Sequence, residues 1–89
     1  MSEKRTITYY YKARYFGDFT IGSQRIQYEP PAGASIRDAI CAAMEISAKH
    51  GKTVQMSFNN VKLDIANEPQ KSLAVQKAID TYYAKLKQR

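Results

Sequence analysis

The side chains able to do covalent or acid–base chemistry are few. The chain has one cysteine, Cys41, one histidine, His50, and eight scattered carboxylates in 89 residues. A nucleophilic thiolate needs a base close by. His50 lies at the far end of the segment that holds Cys41, and Ala39-Ile40-Cys41-Ala42-Ala43 reads as a stretch in which cysteine is a small apolar residue. A zinc site needs several Cys and His ligands at short spacing, and one of each does not supply it. Ile21-Gly22-Ser23 and Pro31-Ala32-Gly33-Ala34 lack the glycine spacing and the lysine of a phosphate-binding loop. A serine triad needs a histidine, and His50 follows a helix, where it reads as an exposed capping residue. These shortages point away from an enzyme, and no metal or cofactor is expected.

Non-covalent chemistry has more to draw on. The chain has seven tyrosines and no tryptophan. Tyr9, Tyr10, Tyr11 and Tyr15 interleave with Lys12 and Arg14, and Arg25 is expected on a neighbouring strand. Aromatic faces stack on bases while cations hold phosphates, so this mixture suits a nucleotide or a single-stranded nucleic acid. The plainer reading is that strands favour tyrosine anyway and that the cations keep an outer face in water. The segment also lacks the glycine–aromatic spacing of an RNA-recognition strand. Near the other end of the chain, Tyr83 and Lys87 join the candidates. The candidate binding residues are therefore Tyr10, Lys12, Arg14, Arg25, Tyr83 and Lys87.

Charge is distributed unevenly around a net of +6. Residues 1–28 carry a net +3, residues 29–69 a net −1, and residues 70–89 a net +4. If the two basic ends met in space, they would form one anion-attracting surface; otherwise they only solubilise the protein. The length fits one domain with one core, residues 1–89. A single cysteine forms no intrachain disulfide. No apolar run is long enough to span a bilayer, and Met-Ser-Glu-Lys-Arg-Thr does not read as a signal peptide. A cytoplasmic location in a bacterial host, without membrane contact, is the expectation.

Five strands and two helices would position these residues. Thr6–Phe16 is rich in β-formers, with Ile7, Tyr9, Tyr11, Ala13 and Tyr15 expected on one face. Gly17-Asp18 reads as a turn, Phe19–Ile21 as more strand, Gly22-Ser23 as a break, and Gln24–Glu29 as another strand ended by Pro30-Pro31. Ser35 is a candidate N-cap with Asp38 three residues on, and Ile36, Ala39, Ile40, Ala43 and Met44 form a helical stripe that Gly51 stops. Val54, Met56 and Phe58, then Val61, Leu63 and Ile65, alternate with polar residues around Asn59-Asn60. A two-residue turn there pairs apolar with apolar on one face and polar with polar on the other, and a slip of one residue destroys both patterns. Val75, Ile79, Tyr82 and Leu86 mark a final helix after Asn67-Glu68-Pro69.

The order β-β-(β)-α-β-β-α predicts an α+β fold: an antiparallel sheet with two helices, the first packed across one face. The tyrosine-rich strands carry more aromatic surface than one small core requires. A homodimer or larger homo-oligomer built on those strands, or on the last helix, is therefore expected.

Three stretches, Pro30-Pro31-Ala32-Gly33-Ala34-Ser35-Ile36-Arg37-Asp38-Ala39, Phe58-Asn59-Asn60-Val61-Lys62-Leu63 and Tyr82-Tyr83, together resemble the layout of small phage- and prophage-encoded accessory proteins. The resemblance covers roughly residues 30–86 and concerns the fold, not a site. It implies a non-catalytic protein that binds a host component, for example as an inhibitor of a bacterial defence complex such as CRISPR-Cas. Its basic charge argues against mimicry of DNA. The alternatives are a nucleotide or nucleic-acid binding module that uses the Tyr/Arg/Lys strands, and a self-assembling structural subunit. A helix-turn-helix is disfavoured because a hairpin separates the two helices.

Overall fold

A computed structural model describes residues 6–88. The elements are β1 (Thr6–Tyr11), β2 (Arg14–Ile21), β3 (Arg25–Glu29), α1 (Ile36–His50), β4 (Thr53–Phe58), β5 (Val61–Ile65) and α2 (Lys71–Lys87). They form the expected α+β fold, with one five-stranded sheet in the order β1-β2-β3-β4-β5. The sheet is mostly antiparallel. The exception is β3–β4, which pairs in parallel because α1 carries the chain back across the sheet between them.

Each boundary has a local cause. Ser35 caps α1, its hydroxyl accepting the Asp38 N–H at 3.1 Å. Gly51 ends that helix in the left-handed conformation, and its N–H donates to the Ser47 carbonyl. Asn59 and Asn60 hold φ of 49° and 66°, which a two-residue turn between β4 and β5 demands. The register there is the expected one: Phe58 opposite Val61, Met56 opposite Leu63, and Val54 opposite Ile65.

The apolar stripes meet in one core on the helix side of the sheet. Ile26, Tyr28, Val54 and Met56 from the sheet are buried with Ile40 and Ile46 of α1, and Val75, Ile79 and Tyr82 of α2 close the layer. Fully burying a side chain of this size contributes about 1.5–3 kcal/mol. α1 lies over β4 and β5 and against α2, which packs on β5. Cys41 is half-buried, less enclosed than expected for it. His50 is also half-buried, its ring 5.5 Å from that of Phe19, and is not an exposed cap.

The N-terminal strands depart from the sequence reading. Gly17-Asp18 is not a turn; both residues lie inside β2. The chain reverses earlier, at Lys12-Ala13, where φ values of 53° and 62° put two residues with side chains into the left-handed region. Tyr11 and Arg14 flank this two-residue turn, and Tyr10 pairs with Tyr15. The pairing then shifts by one residue between Tyr10 and Thr8, so Phe16 and Gly17 together oppose Tyr9. This is a bulge on β2, and Gly17, with φ of 99°, is the residue that allows it. The reversal puts Tyr15 beside Tyr10 and not on the Tyr9–Tyr11 face.

Candidate binding surface

The two faces of β1 and β2 use their aromatic residues differently. On the helix side, Tyr9 stacks on Tyr11 at 6.5 Å and meets Phe19 and Tyr28 edge-on at 6.1 and 6.0 Å. Tyr11 in turn lies 5.3 Å from Phe16. These rings fill the space beside α1, whose main packing is on β4 and β5. The Tyr28 hydroxyl donates to the Phe16 carbonyl, tying β3 to the bulge. Most of the N-terminal aromatic residues are therefore spent on packing. Burial, with the nearby Glu45 carboxylate as a second cause, pushes the Tyr9 hydroxyl up to about 12.

No described helix covers the opposite face of the sheet. Tyr10 and Tyr15, 65% and 52% exposed, stand side by side there as a cross-strand pair. The Tyr15 hydroxyl donates to Asp18 at 3.2 Å, which fixes the ring's tilt. Partial removal from water, and the Asp18 carboxylate after it, raise the Tyr15 pKa. The rest of that face is polar, with Thr6, Thr20, Gln27, Gln55 and Asp64 following one another across the five strands.

Two cations stand at the turn end of the hairpin, on the Tyr11 side and not on the face of the tyrosine pair. Lys12, in the turn, holds its ammonium 5.3 Å from the centroid of the Tyr11 ring. Arg14 begins β2 and is exposed. A depression of about 490 Å³ opens beside them, lined by Lys12, Arg14, Tyr15, Pro31, Ser35 and Asp38 among others. A second of about 310 Å³ continues it over the same Pro31–Ala34 loop to Phe58 and Asn59.

Three of the six candidates thus share the turn end of the hairpin, Tyr10 on the open face and Lys12 and Arg14 on the Tyr11 side. Arg25 does not join them. It begins β3 next to the Gly22–Gln24 turn, at the opposite end of the sheet, on a strand that neighbours β2 and not β1. Tyr83 and Lys87 do not join them either. They lie on α2, which packs against β5, and four strand spacings of about 4.8 Å separate β5 from β1. Tyr83 is 51% exposed, its ring 5.1 Å from that of the buried Tyr82, whose hydroxyl accepts from Asn59 at 2.9 Å.

The described chain ends sit apart as well. β1 starts at the Arg25 end of one outer strand, whereas α2 finishes beside the β4–β5 turn at the other. The first five residues, with Lys4 and Arg5, and Arg89 lie outside the described residues. Tyr15 was missed as a partner of Tyr10, because only the unsignalled turn at Lys12-Ala13 puts it there. Among the described residues, no three His, Cys, Asp or Glu side chains group as metal ligands. No described helix is long and apolar enough to cross a membrane.

No protein-family model matches this chain, and no curated protein or solved structure is significantly similar to it.

Proposed function

We propose that this protein is a non-enzymatic binding module whose partner is another protein, engaged through the β1–β2 hairpin. The observation that carries this reading is the exposed Tyr10–Tyr15 pair, with Lys12 and Arg14 at the same end of the hairpin on its other face. Tyrosine and arginine are the residue types that dominate binding energy at protein interfaces, because they present large, stiff contact area with a polar tip. The two rings are the part of the N-terminal aromatic set that the core does not use. The partner implied by the likeness to phage accessory proteins is a host component, such as a defence complex. The test is a quantitative pull-down from bacterial lysate with the wild-type chain and with Tyr10→Ala/Arg14→Ala. A stoichiometric protein retained by the first and lost by the second supports the reading. Retention of the same protein by both, or of none by either, counts against it.

A second reading is favoured by the same rings. Bases stacked on Tyr10 and Tyr15, with the strand passing round the hairpin tip to bring phosphates to Lys12 and Arg14, would make the hairpin a nucleotide or single-stranded nucleic-acid site. Fluorescence anisotropy of a labelled oligothymidylate separates the two. Binding that falls steeply with salt, with a slope that shrinks by about 0.7 per cation removed, supports the nucleic-acid reading. Self-assembly of the chain into a defined oligomer remains a third proposal, tested by light scattering across a concentration series.

A further inference from the structure

The two outer strands of the sheet are finished differently. In antiparallel pairs, residues alternate between those whose N–H and C=O point at the neighbour and those whose groups point away. Phe58 and Val61 flank a two-residue turn and face each other, so Lys62 of β5 directs its backbone groups outward. Its carbonyl is met there by Lys85 of α2, whose ammonium donates at 2.8 Å. On the other side of the sheet, Tyr11 and Arg14 flank the Lys12-Ala13 turn. Counting back along β1, Tyr11, Tyr9 and Ile7 face β2, and Tyr10, Thr8 and Thr6 direct their N–H and C=O away from the sheet. No element lies beyond β1 among the described residues.

Proteins usually blunt such an edge with a charge, a proline, a bulge or a covering segment. Among the described residues β1 has none of these: Thr6-Ile7-Thr8-Tyr9-Tyr10-Tyr11 is uncharged and rich in β-formers, and the bulge belongs to β2. Side-chain room exists on both faces of the edge. Tyr10 and Tyr15 stand on the open face. On the helix side, a depression of about 510 Å³ is lined by Tyr9, Phe19, Glu45, Ala48 and Lys49 among others. An added strand places alternate side chains on these two faces, which is how strand addition gains specificity.

The charge around the edge selects the occupant. Lys4 and Arg5 precede β1 in sequence, Lys12 and Arg14 follow it, and no acidic residue lies between Lys4 and Gly17. Of the carboxylates near the hairpin, Asp18 is engaged by Tyr15 and Glu45 by Tyr9, and Asp38 shares the depression lined by Lys12 and Arg14. β1 of a second copy, Thr6–Tyr11, carries no carboxylate to meet Lys12 and Arg14. That lack of complementary charge disfavours a second copy.

We infer that the free edge of β1 is a strand-addition site for an extended, acid-flanked segment of the partner protein. This inference rests on the proposed protein-binding function and names the interface and its chemistry. Backbone hydrogen bonds from Thr6, Thr8 and Tyr10 supply the pairing. Lys12 and Arg14 hold the carboxylates at one end.

The test uses the full chain and the peptide acetyl-Glu-Glu-Thr-Val-Thr-Val-Thr-Glu-Glu-amide as probe, read by amide hydrogen exchange and NMR titration. The expected result is saturable binding that slows exchange at Thr6, Thr8 and Tyr10 and leaves Ile7 and Phe19 unchanged. A Lys-flanked version of the peptide should bind at least tenfold more weakly, and a version N-methylated on alternate backbone amides should not protect the edge. In the protein, Thr8→Pro removes an outward N–H that the β1–β2 ladder does not use, and should abolish binding with the circular dichroism spectrum retained. The N-methylated peptide makes the same test without altering the protein. Unprotected edge amides at millimolar peptide, or equal binding of the Lys-flanked peptide, overturn the inference. Protection that grows with protein concentration alone assigns the edge to a second copy and also overturns it. Side-chain shifts at Tyr10 and Tyr15 without amide protection would overturn the edge but leave the hairpin as the binding surface. Protection produced by oligothymidylate and not by the peptide would overturn both.

Discussion

Gly17 lies so close to the backbone of Glu29 that a Cβ built on it would sit 2.2 Å from the Glu29 carbonyl oxygen. The contact joins β2 to the end of β3, at the bulge that lets Tyr15 stand beside Tyr10. Gly17→Ala meets both that carbonyl and a φ of 99°. The expected loss of stability is about 2 kcal/mol or more, read by urea denaturation. A variant as stable as the wild type would mean that the bulge is not needed.

Ala13→Gly is expected to act in the opposite direction. Ala13 holds φ of 62° in the two-residue turn, a conformation that glycine adopts without the Cβ penalty. After the extra entropy of glycine in the unfolded chain, a gain of about 0.5–1 kcal/mol remains. A rise in melting temperature checks it, and a fall would contradict the turn's geometry.

Tyr28→Phe removes the hydroxyl that donates to the Phe16 carbonyl, so that carbonyl loses this donor beside a buried ring. The expected cost is about 1–2 kcal/mol, with an amide chemical-shift change centred on Phe16 and Gly17. A perturbation confined to β3 would argue against the link between Tyr28 and the bulge.

Stability should fall at alkaline pH. Burial raises the hydroxyls of Tyr9, to about 12, and of Tyr28, whereas tyrosines in the unfolded chain ionise near about 10. Above that pH the unfolded state sheds protons that the native state keeps, so the unfolded state gains. The contribution is complete below about pH 10 and is lost as pH climbs toward 12. Denaturant midpoints measured across this window should decline, and a Tyr9→Phe variant should decline less steeply. Equal slopes would remove Tyr9 from the account.

The contrast between the two hairpins explains what the sequence disclosed. The β4–β5 hairpin was legible because three constraints agree: apolar alternation on both strands, polar alternation between them, and two asparagines suited to positive φ. The limits of α1 were legible for a similar reason, since Ser35 and Gly51 each satisfy backbone groups in a way few other residues can. The β1–β2 hairpin was hidden. Its turn, Lys12-Ala13, contains none of the usual turn residues, and its best turn residue, Gly17, serves a bulge within a strand. The misplaced reversal put Tyr15 on the wrong face and dispersed the candidate surface. Arg25, Tyr83 and Lys87 were chosen by residue type, and residue type does not carry the strand order that separates them from Tyr10.

Native mass spectrometry of the chain purified from bacterial cells, beside Tyr10→Ala/Arg14→Ala prepared identically, tests the central claim most directly. The account predicts a stoichiometric complex with a second protein for the wild type and a bare chain for the variant. A wild-type chain that carries only nucleotide, or that assembles only with itself, would contradict it.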